Sequence, residues 1–322
     1  MSYLDRRELF KLGGAAGLAI AALPALAKAP LSGAQGAAVY RYKVGDIEVT
    51  ALNDGIAKFP LAEGFVTNAK LADVQNALKD AFMAPDMMQI PFTAMVVNTG
   101  AKLILIDTGT AGLVAPTAGV LLANMAAAGI DPKAIDTVLI SHMHPDHING
   151  VRSKEGAVNF PNAEVKIAAP EWAFWMDDAK MSAAPDGMKP LFEATRRAFA
   201  PMAKDVKQFK WDDEVEGGVT AIAAAGHTPG HTVFAIHSGK DKMLALGDVT
   251  NHPALFVRNP DWSVVFDMDA EMARATRHKL LDMAAAERMQ VAGYHFPFPA
   301  TGYIAKDGAK YQLVPMSWQP VL

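Results

Sequence analysis

The 322-residue chain has no cysteine. Disulfides, thiolate metal sites and cysteine nucleophiles are thereby excluded, leaving imidazole and carboxylate as the strong metal ligands. An excess of one charge is lacking too: 30 Lys and Arg against 34 Asp and Glu give a formal net charge of -4, with no dense basic patch. Nucleic acid is therefore not an expected partner. After residue 29 no stretch approaches the roughly 18 uninterrupted apolar residues of a membrane-crossing helix, so no membrane association is expected after processing. Apolar side chains, by contrast, make up 51% of the chain, ample for one large core.

Residues 1–29 stand apart. Arg6-Arg7, with Phe10 and Lys11 behind them, precede a Gly/Ala-rich apolar run from Leu12 to Leu26. Small residues around Ala27-Lys28-Ala29 then offer a cleavage site. This reads as an export signal of the twin-arginine type, although Asp5 stands where Ser or Thr is usual, and it implies a periplasmic product. Residues 30–322 are expected to form a single domain.

Val39 to Val44 and Ile47 to Leu52 read as a hairpin turned at Gly45-Asp46. Ala69 to Met83 has helical spacing, and Met95 to Asn98 with Lys102 to Ile106 form a second strand pair. Leu113 to Ala128 reads as one helix ending at Gly129, followed by a strand from Ile135 to Ile140. Strand Val165 to Ala168 is followed by helices Glu171 to Asp178 and Leu191 to Ala200, with a loop between them at Pro185, Gly187 and Pro190. The later half has strands at Val219 to Ala225, Val233 to His237, Met243 to Leu246 and Val291 to Tyr294. A long helix spans Asp269 to Glu287, and a final hairpin pairs Gly302-Ile304 with Tyr311-Val314. Apolar runs that do not alternate imply sheets covered on both faces, and the order suggests an α/β fold of two facing sheets with outer helices.

Three imidazoles and a carboxylate are packed into His142-Met143-His144-Pro145-Asp146-His147, directly after an apolar strand. At spacing two, His142 and His144 can point to one location while Asp146 and His147 reach a neighbouring one. Zinc takes about four ligands, so the hexad needs partners from elsewhere. His227, Asp248 and His295 each follow an apolar strand and can supply them. The expected first ion takes His142, His144 and His227, the second takes Asp146, His147 and His295, and Asp248 bridges both. His231 is expected just outside the ligands, and Asp107 is expected to accept a hydrogen bond from a ligand histidine or to support the hexad loop. Zinc is the leading ion, with iron, cobalt and manganese compatible with the same ligands.

The motif His142-x-His144-x-Asp146-His147, joined in order by His227, Asp248 and His295, resembles the metallo-β-lactamase superfamily over roughly residues 40–314. That resemblance implies an αββα sandwich with two metals at one edge of the facing sheets. Within the superfamily, Val97-Asn98-Thr99-Gly100, Leu105 to Gly109, Gly226 to Thr232 and Leu246-Gly247-Asp248 are similar to methyl parathion hydrolase and its lactonase-like relatives. This implies a homodimer that hydrolyses lactones, aryl esters or phosphotriesters. Aromatic residues line the phosphotriesterase pocket near the positions of Val114, Trp175 and Phe192, of which Val114 is not aromatic here.

The chemistry expected of such a centre is attack by a bridging hydroxide on a carbonyl carbon or phosphorus polarised by one ion. Asp248 and Asp146 are the expected catalytic carboxylates. Val114, Trp175, Phe192, His252, Phe256, Phe298 and Tyr303 are the candidate pocket residues, with His252 a candidate proton shuttle. Their character favours a small apolar or aromatic ester, lactone or phosphotriester. A noncatalytic metal-binding protein is the alternative of a different class.

Overall fold

The computed structural model describes residue 29 and residues 31–322. The expected export signal lies outside the described residues except for Ala29. Residues 37–322 make one compact unit. Among the described residues no helix is long and apolar enough to cross a membrane.

Two seven-stranded sheets form the inner layers. The first runs in sequence order, from β1 (Val39–Val44), β2 (Ile47–Pro60), β3 (Met87–Asn98) and β4 (Leu103–Ile106) to β5 (Thr137–Ile140), β6 (Glu164–Ala168) and β7 (Lys207–Phe209). Its first four strands are antiparallel neighbours and its last four are parallel. The second sheet holds β8 (Glu214–Glu216), β9 (Val219–Ala223), β10 (Thr232–Ser238), β11 (Asp241–Ala245), β12 (Gln290–Ala292), β13 (Thr301–Asp307) and β14 (Lys310–Pro315), again as successive neighbours.

The strands alternate between two buried environments. On β4, Ile104 and Ile106 face the space between the sheets while Leu105 faces the outer helices. On β11, Met243 and Ala245 point inward and Leu244 outward, and Phe234 and Ile236 on β10 point inward with Val233 outward. Burial on both faces explains why these strands read as continuous apolar runs. The outer layers are α1 (Leu71–Asp80), α2 (Leu121–Ala127), α3 (Pro145–Ile148), α4 (Ala169–Trp175), α5 (Asp178–Ala183) and α6 (Lys189–Phe199) in the first half, then α7 (Pro253–Phe256) and α8 (Ala270–Ala286) in the second. The architecture is the αββα sandwich.

Several expected boundaries are corrected. β2 and β3 run to Pro60 and from Met87, their long pairing interrupted by a bulge between Asn53 and Gly55. The helix expected from Leu113 starts only at Leu121. Buried Asp54 takes hydrogen bonds from the backbone N–H groups of Thr110 and Leu121 (2.7 Å each), and its carbonyl takes one from Gly119. That long-range hub holds residues 110–120 as a loop against the helical pattern of their side chains. The segment between α4 and α6 contains the short α5, capped by Asp177.

Candidate metal centre

β4 and β5 are parallel, and β9, β11 and β12 share one direction because β10 lies antiparallel to both β9 and β11. Each sheet therefore delivers the C-terminal ends of these strands to one edge. β5 leads through Ser141 into the hexad, with His144 as the N-cap residue of α3 and Pro145 pre-set at its first turn. The ends of β9, β11 and β12 lead to His227, Asp248 and His295.

The structure brings all seven residues together. His142 Nε2 and His227 Nε2 lie 3.1 and 3.0 Å from His144 Nδ1. Three donors at about 2.0–2.1 Å from a tetrahedral zinc would stand about 3.3 Å apart, so the triad has the dimensions of a cation site. Asp146 Oδ2 lies 3.5 Å from both His147 Nε2 and His295 Nε2, forming a second cluster. Asp248 spans the two: its Oδ2 is 2.9 Å from His295 Nε2 and 3.4 Å from His227 Nε2, and its Oδ1 is 3.2 Å from His147 Nε2.

The far side of each ring fixes which nitrogen faces inward. His147 Nδ1 donates to Asp107 (2.8 Å), His227 Nδ1 to Asp267 (2.9 Å) and His295 Nδ1 to the Pro91 carbonyl (2.9 Å). All three Nε2 atoms are thereby left with lone pairs for a cation. Asp107 adopts a left-handed φ of 59° at the end of β4, which Asp tolerates better than most residues. From there it also accepts from the Ser141 N–H and hydroxyl. His231 accepts the Asp248 N–H on Nε2 (3.0 Å) and donates from Nδ1 to Ala224, so it holds the bridging loop. Burial pushes its pKa down to about 3, as an acceptor nitrogen requires.

Burial, reinforced by neighbouring imidazoles, holds His142 and His144 well below the usual range and so neutral. Burial also opposes charge on His147 and His295, but the carboxylates of Asp146 and Asp248 outweigh it and raise both. Two side-chain atoms give a test of cation fit: His147 Nε2 and Asp248 Oδ1 are fully buried without a hydrogen-bond partner. Buried polar atoms are rarely left so, and a bound cation between them satisfies both. The residues fit two divalent ions.

A cavity of about 580 Å³ opens over this floor, walled by Phe59, Ile90, Phe92, Val114, Leu191 and Phe266. Of the candidate pocket residues, Val114 lines this cavity and the other six do not. Trp175 and Phe192 are fully buried, their rings 4.7 Å apart in the core, and the Trp175 indole N–H is tied to Glu171. Phe256 is buried against Phe65 and beneath the Arg277 guanidinium. His252 caps α7 through its Nδ1 and faces a separate cavity of about 680 Å³, where burial lowers its pKa to about 4. Phe298 and Tyr303 are 38% and 41% exposed at the surface, Tyr303 beside α8. Phe59, Ile90 and Phe92, which wall the cavity, sit on the parts of β2 and β3 that extend beyond the expected strands. Glu171, Asp267 and Tyr294, whose hydroxyl donates to the Asp146 carbonyl, were also missed. A carboxylate inside an apolar helix was the one available signal for Glu171.

An αββα sandwich with two abutting cation sites at the strand ends defines a metal-dependent hydrolase acting on ester-type bonds. Residues 92–289 match the model of the metallo-beta-lactamase superfamily, and the chain belongs to that superfamily. Among solved structures it is similar to AidC, a dizinc quorum-quenching lactonase, at 28% identity over 88% of this chain and 99% of that one, with a TM-score of 0.83. It is similar to AbOPH, a hydrolase of the beta-lactamase superfamily, at 30% identity over 89% and 100%, with a TM-score of 0.82. A probable metal-dependent hydrolase from Staphylococcus aureus shares the fold at 20% identity over 86% and 100%, with a TM-score of 0.69.

Proposed function

We propose that this protein is a dinuclear zinc hydrolase of lactones and aryl esters. The observation that carries this reading is Asp248, whose carboxylate touches histidines of both cation clusters on the floor of an apolar cavity. His142, His144 and His227 would hold one ion and Asp146, His147 and His295 the other, with Asp248 available to both. The ions, when bound, supply Lewis acidity that activates water near neutral pH and polarises the scissile carbonyl. The chain supplies the rest. Asp107 and Asp267 hold His147 and His227 in the orientation that presents Nε2, and the apolar walls seat an acyl or aryl group while excluding bulk water. Asp146, with 18% side-chain exposure and lining the cavity, is placed to take a proton from the attacking water as its oxygen bonds to the acyl carbon and to return that proton to the departing oxygen as the ester C–O bond breaks.

The lactonase similarity of AidC supports the substrate class. Likeness to methyl parathion hydrolase rests on the sequence motifs from Val97 to Gly109 and around Asp248, and makes phosphotriesters the second class to test. We further propose export to the periplasm on the twin-arginine signal of residues 1–29, and a homodimeric state. Zinc-loaded protein assayed on an acyl lactone, an aryl ester and an aryl phosphotriester is expected to give its highest kcat/KM with one of the first two. Full zinc occupancy without turnover of any of the three would overturn the reading.

A further inference from the structure

Glu171 is fully buried near the start of α4 and belongs to neither cation cluster. Its carboxylate nevertheless accepts four hydrogen bonds from three segments. Oε1 accepts from the Met143 N–H (2.8 Å) and the Trp175 indole N–H (2.8 Å), and Oε2 from the Thr228 hydroxyl (2.9 Å) and the Gly230 N–H (2.7 Å). Met143 stands between His142 and His144, and Thr228 follows His227. One carboxylate therefore joins the loop carrying two imidazoles of the first cluster to the loop carrying the third. The approach is close: a Cβ on Gly230 would lie 2.2 Å from the Glu171 backbone nitrogen, so only glycine allows the His227 loop to reach α4. Trp175, held by the same Oε1, stands edge-on to His144 with ring centres 6.0 Å apart and backs that ring.

We infer that Glu171 is a positioning residue that locks the hexad loop to the His227 loop and so sets the spacing of the His142/His144/His227 ion site. No other side chain type of this length serves as well. The Met143, Trp175 and Gly230 N–H groups can only donate, and a carboxylate offers two acceptor oxygens, whereas a glutamine turns one end into a donor facing another donor. The second cluster is outside this lock. Its His147 is held by Asp107 and its His295 by Pro91, contacts in which Glu171 takes no part.

The inference rests on the ion assignment proposed above, and the test separates them. Zinc affinities of the full chain, measured by chelator competition, are compared for wild type and Glu171→Gln, with anomalous diffraction at the zinc edge assigning each site. The variant is expected to bind zinc at the three-histidine site about 10- to 100-fold more weakly, while the Asp146/His147/His295 site moves by less than about threefold. Equal weakening of both sites, or of neither, overturns the inference while leaving the ion assignment standing. Wild type binding fewer than two ions overturns both. If Glu171→Gln does not fold, Thr228→Val decides, because it deletes one donor and adds no mismatch: a weaker three-histidine site supports the lock, and unchanged affinity overturns it.

Discussion

His147 shows how much of this centre is decided by single contacts. Its ring lies 3.9 Å from the Tyr294 ring, and its Nδ1 is bound to Asp107, which is itself held by Ser141. Only Nε2 is left to face Asp146 and Asp248. Asp107→Asn should therefore weaken zinc at the Asp146/His147/His295 site by about 10- to 100-fold, because an amide can place its N–H toward the ring and favour the wrong tautomer. Chelator competition on the purified variant checks this, and unchanged affinity would remove Asp107 from the role. The same residue scale separates supports from walls. Trp175 looks like a pocket aromatic from its type, yet its indole serves Glu171 and its face packs on Phe192.

Among elements, α8 does more than cover the second sheet. It carries the fully buried Arg277, which donates to the carbonyls of Val249, Pro260 and Trp262 and reaches Asp267 at 3.4 Å. One side chain thus pins residues 249–267, the segment that brings Asn251, Val265 and Phe266 to the cavity. Arg277→Met should cost about 3 kcal/mol or more, since three buried carbonyls lose their donor. Urea denaturation measures it, and a loss below about 1 kcal/mol would show that the segment holds itself. The elements were legible in sequence where a local pattern decided them, as in the hairpin at Gly45-Asp46 and the strand ends before the hexad and Asp248. The cation ligands were legible for the same reason, being grouped residue types placed after apolar strands. What escaped depended on distant partners. Asp54 unwinds residues 110–120 through contacts far along the chain, and the bulge at Asn53/Gly55 extends a strand pair beyond the alternating pattern. Pocket walls escaped because aromatic character does not reveal which layer a side chain faces.

At the scale of the whole molecule, the sandwich is tied at both ends. The cation clusters join the sheets at one edge, and Glu216 on β8 joins them at the opposite end of β5, bonding Thr137, Lys166 and Lys102 of the first sheet region. Burial alone would raise the Glu216 pKa, but the two lysines and Thr137 outweigh it and lower it from 4.5 to about 2. Its folded pKa lies below the unfolded one, so its stabilisation is fully present above about pH 4.5 and is lost as the pH falls toward about 2. Glu216→Gln should lose about 2 kcal/mol at pH 7, with the deficit shrinking through that window. Denaturation of both proteins at pH 7 and pH 3 tests this, and a deficit independent of pH would contradict it.

The two-ion hydrolytic centre is tested most directly by metal analysis of protein purified without added metal, coupled to lactone turnover by the same sample before chelation, after it and after zinc is returned. Two zinc ions per chain, with turnover lost on chelation and restored with the second equivalent, is the predicted result. Turnover that survives complete metal removal would contradict the account.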